Sequence, residues 1–227
     1  MSPETSPLAC CAGGTVRPPA SRDAQAPLRA ARSPWYNSAQ MRITATTLPL
    51  LAARARTGRV VAFDTETTGG TAWDEICQIA AAEYDGGALS RTLALYVRPT
   101  CPMNPWAEAV HGLSEAFLRA HGIAPEEAMR RFFDFVGEDA LLVAHNAAFD
   151  LRMLRQECSK FDLCFGSSGI DTCDTLALSR RLRPDLPNHR LATLVDALGV
   201  DGVNSHDALD DTLACAGVLF KLLEPQP

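Results

Sequence analysis

Val60-Val61-Ala62-Phe63 is an unbroken apolar run that passes directly into Asp64-Thr65-Glu66-Thr67-Thr68-Gly69-Gly70. Its β-branched content and short length predict a buried strand over 59–64. Apolar segments over 75–84 and 89–98 predict two more strands. Asp85-Gly86-Gly87 between them is a hairpin signal. Leu48 to Arg56 reads as a short helix stopped by Gly58. The segments 114–120 and 125–137 have helical periodicity, and Pro125 suits a first helical turn. Ala140–Ala144 predicts a short buried strand and 147–157 a helix. A strand near Gly169–Ile170 then precedes helices over 174–182, 190–198 and 207–222. Early strands followed by alternating helix and strand define an α/β sheet with one hairpin.

The first 40 residues break this pattern. They are rich in Pro, Ala, Ser and Arg, without apolar periodicity, and are expected to be a disordered extension (1–40) ahead of one globular domain (41–227). An Arg-rich targeting segment and a mis-assigned start at Met41 stay open as alternatives.

Three acidic stretches punctuate the apolar pattern. In the first, Asp64 and Glu66 lie two apart on a strand and therefore share a face. Two adjacent carboxylates repel, so either one is protonated or a cation sits between them. In the second, the strand LLVA runs into HNAAFD, and Asp150 falls in the first turns of a helix. Taken alone, such an acid need only favour the helix dipole, worth about 0.3–1 kcal/mol. In the third, SHDALDD opens the last helix, with Asp207 as N-cap and His206 just outside it. Asp211 shares a face with Cys215 and Val218, where an unpaired carboxylate is costly, whereas Asp210 points towards solvent. Strand C-termini of α/β folds converge on one sheet edge, so all three stretches can meet there.

Composition changes this picture little. The chain has 227 residues, 47% of them hydrophobic, enough for a single core. No apolar stretch approaches the roughly 20 residues needed to cross a bilayer, and no secretory signal is visible. The 8 cysteines form no CxxC pair or zinc-ligand spacing and read as reduced, mostly buried thiols, which with the missing signal predicts a cytoplasmic protein. A net charge of −6 does not argue against nucleic acid, because metal-holding carboxylates count as negative in a bare sequence.

In order and spacing, FDTETTG, HNAAFD and HDALDD resemble the three motifs of the DEDD 3′–5′ exonucleases. His206, five residues before Asp211, resembles the DEDDh branch. VHGLS at 110–114, DTLAL at 174–178 and NHRLATL at 188–194 are similar to further segments of that family, so the likeness spans about 58 to 222. The resemblance extends to the epsilon proofreading subunits of bacterial replicative polymerases and their stand-alone homologues. The resemblance implies a ribonuclease-H-like fold with a central mixed five-stranded sheet flanked by helices. It also implies two Mg²⁺ or Mn²⁺ ions, with Asp64, Glu66 and Asp211 as direct ligands and Asp150 as the fourth carboxylate. His206 would be the general base that takes a proton from the attacking water, since imidazole titrates near neutrality. The implied product is a nucleoside 5′-monophosphate released from a free 3′ end, of single-stranded DNA or, as the rival, of RNA.

The same resemblance implies Thr67, Gly69 and His111 as substrate contacts, and Trp106 and Phe149 are candidates for stacking faces or ordinary core aromatics. Arg152, Arg155, Arg180, Arg181, Arg183 and Arg190 are candidates for phosphate contacts, against the alternative of solvated surface arginines. Only Glu-Pro-Gln-Pro follows Leu223, which favours a stand-alone enzyme with at most transient polymerase association. An inactive binding module and a nonspecific metal phosphatase are the other rivals.

Overall fold

Val60, Val61, Ala62 and Phe63 are completely buried, and they divide by parity. Val61 and Phe63 enter one apolar layer, Val60 and Ala62 the other. A strand with two apolar faces must lie in the middle of a sheet covered on both sides. The computed structural model describes residues 47–163 and 171–224 and has that arrangement. The expected N-terminal extension and the strand expected near Gly169–Ile170 lie outside the described residues.

Helix α1 (Thr47–Thr57) leads into strands β1 (Arg59–Thr67), β2 (Ile76–Asp85) and β3 (Ala88–Tyr96). Helices α2 (Pro105–His111), α3 (Glu115–His121) and α4 (Pro125–Val136) follow, then β4 (Leu141–Ala144) and α5 (Ala147–Lys160). Strand β5 (Thr172–Asp174) and helices α6 (Thr175–Leu182), α7 (Leu191–Leu198) and α8 (Ala208–Leu223) complete the order. The sheet order is β3-β2-β1-β4-β5. Strand β2 is antiparallel to β1 and β3, while β4 and β5 run parallel to β1. The expected mixed five-stranded sheet is therefore present.

Gly86 and Gly87 join β2 to β3 with φ of 56° and 83°. Two successive positive φ values are what a two-residue hairpin turn demands, and glycine adopts them without a Cβ clash. One face of the sheet packs on α4 and α5, where Phe63 lies 5.6 Å from Phe132, centroid to centroid. The other packs on α1, α7 and α8 through residues such as Leu51, Leu194 and Leu219.

Two differences from the sequence expectation matter for the site. Strand β1 runs to Thr67, three residues past its predicted end, because β2 continues to pair with it at Asp64↔Ala80 and Glu66↔Gln78. Helix α2 is absent from the apolar pattern because it buries none of its residues. Its signal was Asn104-Pro105, an N-cap whose side chain accepts from the Trp106 amide, followed by proline in the first turn.

Candidate active site

Strand β1 pairs with β4 only through Val60, Val61 and Ala62. Beyond that point its β4 side is open, and Asp64 and Glu66 project there on the α8-facing side that Val60 and Ala62 began. Thr65 faces the α5 layer, where its Oγ1 donates a 2.7 Å hydrogen bond to Asp150 Oδ1. Asp150 is 3% exposed. It reaches this place because Asn146 takes a left-handed conformation, φ 66°, that turns β4 sharply into α5. Asn tolerates this region better than most residues. The turn is held by the Asn146 amide, which donates to Asp174 Oδ1 at 3.0 Å.

Helix α8 supplies the third stretch. Asp207 caps it, accepting from the Leu209 amide at 2.9 Å, and Gln78 Nε2 donates to the other Asp207 oxygen at 2.8 Å. Gln78 Oε1 accepts from the Ala208 amide, so this one buried side chain ties β2 to the helix start. Asp211 is 6% exposed and accepts from Asn204 Nδ2 at 2.6 Å and the Ser205 amide at 3.1 Å. Asp210 is exposed, as its position on the helix predicted. His206 is exposed and also left-handed, φ 58°.

The ligating atoms of Glu66, His206 and Asp211 all lie within 4.8 Å of one another. Burial first, then repulsion from Asp150, Glu66 and Asp211, holds the Asp64 carboxyl well above its usual range. Burial, then Asp211 and Asp150, pushes Glu66 up to about 8. Burial raises Asp150 to about 7 against the opposing hydrogen bond from Thr65. Burial also raises Asp211, in spite of the Ser205 amide, His206 and Asn204. Four carboxylates held this way are costly to ionise, and a hard divalent cation among oxygen donors removes the cost. The donor set fits Mg²⁺ or Mn²⁺, since the described residues lining the cleft offer carboxylate oxygens and no cysteine.

These groups line a cleft of about 600 Å³ together with Thr65, His145, Asn146, Phe149, Arg190, Leu191, Ala192 and Asn204. A second hollow of about 340 Å³ shares Glu66 and Phe149 with it. Thr67, Gly69, Trp106 and His111 also border this hollow. Thus the structure brings all five expected substrate contacts to one depression beside the acids. Trp106 is 83% exposed, so core packing does not account for it. Phe149 is half-buried against the α5 layer and lies 5.1 Å beneath the Arg152 guanidinium. His111 Nδ1 accepts from the Leu113 amide at 3.0 Å, which leaves Nε2 to donate to the Thr67 carbonyl at 3.3 Å. Burial keeps this imidazole below its usual range and neutral near pH 7. Gly69 has a structural reason of its own, since a Cβ there would sit 2.6 Å from the Asp74 carboxylate.

Sequence reasoning missed the residues that hold these groups in place. Thr65, Gln78 and Asn204 each bond a site carboxylate or its helix cap, yet none belongs to a recognisable spacing. His145 was quoted within a motif without a role; its Nδ1 lies 2.9 Å from Thr175 Oγ1 on the wall of the cleft.

A carboxylate cluster with a histidine, at the C-terminal edge of a mixed sheet, is the architecture of metal-dependent nucleases. The chain belongs to the exonuclease family, whose profile matches residues 61–219. It is 33% identical over 168 residues to the DNA polymerase III PolC-type of Caldanaerobacter subterraneus subsp. tengcongensis, covering 74% of this chain and 12% of that protein. It is 39% identical over 170 residues to a DNA polymerase III subunit epsilon-like protein of Rhodobacter capsulatus, covering 72% of this chain and 23% of that one. The chain therefore spans less than a quarter of either relative. Among solved structures, exonuclease X in complex with 5′ overhanging duplex DNA aligns with a TM-score of 0.56 and 26% identity, covering 72% of this chain and 89% of that one. The ribonuclease-H-like fold accords with this membership. No helix among the described residues is long and apolar enough to cross a membrane.

Proposed function

We propose that the chain is a metal-dependent 3′–5′ exonuclease that removes nucleoside 5′-monophosphates from a free 3′ end of single-stranded DNA. The observation that carries this reading is the convergence of Asp64, Glu66, Asp150 and Asp211 with His206 on one open strand edge. The four carboxylates would hold two Mg²⁺ or Mn²⁺ ions, which would supply charge neutralisation and Lewis-acid polarisation of the phosphodiester. His206 takes a proton from the attacking water as its oxygen bonds to phosphorus. The bond from phosphorus to the 3′ oxygen of the preceding nucleotide breaks, and that oxygen is protonated from solvent. Because His206 is exposed, it passes its proton on to bulk water. Its left-handed backbone turns the chain immediately before the Asp207 cap and keeps the ring beside Glu66 and Asp211.

Thr67, Gly69, Trp106, His111 and Phe149 form the seat for the terminal nucleotide, with the Trp106 face free for base stacking. The names of the polymerase relatives and the DNA bound to exonuclease X support a DNA substrate, a cytoplasmic site of action and transient contact with a polymerase during proofreading.

The test is a 5′-labelled single-stranded DNA oligonucleotide and its RNA counterpart, incubated with Mg²⁺ or Mn²⁺, with EDTA and His206→Ala as controls. The expected result is a ladder shortening from the 3′ end, faster on DNA, lost in EDTA and slowed roughly 100-fold or more in the variant. Faster loss of RNA would reassign the substrate to RNA. Intact strands of both kinds with folded protein would overturn the nuclease reading in favour of a binding module.

A further inference from the structure

The sequence leaves six arginines open as phosphate contacts, and the structure separates one from the rest. Arg152 lies over the Phe149 ring and donates to the Gly70 and Thr71 carbonyls. Arg183 is paired with Asp185. Arg155, Arg180 and Arg181 do not line the catalytic cleft. Arg190 lines it, on the same wall as Leu191 and Ala192, in a cleft that holds all four carboxylates and His206.

The backbone of Arg190 is fixed, while its side chain has no polar partner among the described residues. Its amide donates to Asn188 Oδ1 at 3.1 Å, and Thr193 Oγ1 donates to the same oxygen at 2.7 Å. The guanidinium makes no hydrogen bond or ion pair among the described residues, although other exposed arginines, such as Arg130 and Arg131, are paired with carboxylates. An arginine that shares a cleft with four acids and pairs with none of them is not their counter-ion. Two divalent ions would cancel the four carboxylates, so an incoming phosphodiester brings one negative charge that nothing else on these walls offsets. Arg190 offers one positive charge and a planar fork of donors matched to two phosphate oxygens.

We infer that Arg190 is a substrate-binding residue whose guanidinium grips a backbone phosphate of the strand lying in the catalytic cleft. This rests on the nuclease reading above and adds a specific contact to it. The contact is electrostatic and independent of sequence, so it serves any base at the 3′ end.

The test measures binding apart from turnover. Fluorescence anisotropy of a labelled oligothymidylate is recorded with Ca²⁺ in place of Mg²⁺ over a range of salt concentrations, for the wild type, Arg190→Gln, Arg190→Lys and Arg181→Gln. In Arg190→Gln the slope of log affinity against log salt becomes less negative by about 0.7, the value of one single-strand phosphate contact. Arg190→Lys keeps the slope, because its charge remains, but binds more weakly because the fork is lost. Arg181→Gln matches the wild type. In Mg²⁺, KM for the oligonucleotide rises about tenfold in Arg190→Gln, with kcat changed less. An unchanged slope and KM in Arg190→Gln, or an equal change in Arg181→Gln, would overturn the assignment while wild-type cleavage left the nuclease reading intact. If the wild type neither binds nor cuts the strand, both readings fall. Circular dichroism of each variant separates loss of contact from loss of fold.

Discussion

Asp64 and Thr65 are neighbours in sequence that serve opposite faces of one strand. Asp64 joins Glu66 on the α8 side, and Thr65 crosses to bond Asp150 on the α5 side. That alternation lets nine residues of backbone bring acids from two layers to one edge. Because burial and four neighbouring carboxylates work against ionised Asp64, this residue costs stability in the absence of metal. Asp64→Asn is therefore expected to abolish cleavage, at least 100-fold, yet to melt at a higher temperature than the wild type in EDTA near pH 8. Each kcal/mol of relief corresponds to about 2–4 °C for a domain of this size. A melting scan beside the nuclease assay checks both halves, and a lower melting temperature for the variant would contradict the electrostatic account. At this scale the motif spacing was legible in the sequence. Thr65 was not, because one hydroxyl between two acids carries no periodic signal.

Helix α5 does two jobs with two faces. Its buried stripe, including Leu151, Met153 and Leu154, packs on the sheet and was visible as apolar periodicity. A second face, from Phe149 through Arg152 and Gln156 to Lys160, pins the loop between β1 and β2. Lys160 Nζ donates to Glu75 at 2.7 Å and to Glu157 at 3.1 Å, and Glu75 also accepts from Thr100 Oγ1 at 2.7 Å. Both acids are nearly inaccessible, at 6% and 1% exposure. Removing the cation strands two buried charges, so Lys160→Met is expected to destabilise by roughly 3 kcal/mol. It should also raise KM, because the pinned loop carries Gly69 and Gly70 into the hollow beside the acids. Urea unfolding measures the first effect and steady-state kinetics the second; an unchanged midpoint would show that the network is dispensable. The sequence singled out Phe149 and Arg152 for substrate contact, but nothing marked this face as a loop anchor, since Arg, Gln and Lys on a helix ordinarily face water.

For the whole molecule, the acidic site links stability, pH and metal. Glu66 rises from its ordinary 4.5 to about 8 and Asp150 from 3.8 to about 7. The folded chain then holds protons that the unfolded chain has released, so stability falls as pH rises through this window. Glu75 and Glu83 are held below their usual range and act only at lower pH. His111 and His145 are also lowered and oppose the trend only up to about pH 6.5. In EDTA the melting temperature is expected to fall between about pH 7 and about pH 8.5, and added Mn²⁺ should raise it most at the upper end, where the carboxylates are ionised. Calorimetry across that range checks the sign. A flat profile in EDTA would mean that the acids are not mutually strained.

By itself the sequence determined which residues could form the layers and which chemistry they could carry. Apolar runs two or three to four apart specify strands and helices through local geometry, and three acidic stretches specify a metal-seeking site through residue type. Tertiary structure alone decided how far β1 runs, because its last residues are held by pairing with β2 rather than by their own propensity. Helix α2 belongs with the local signals, since its Asn-Pro cap is written in the sequence although none of its residues is fully buried. Tertiary structure also decided which of six arginines lines the cleft of the acids, because that depends on the approach of a helix more than a hundred residues further along the chain than β1. Local interactions are written in neighbouring residues. The direction in which an exposed side chain points is set by packing between distant ones, and no spacing in the chain records it.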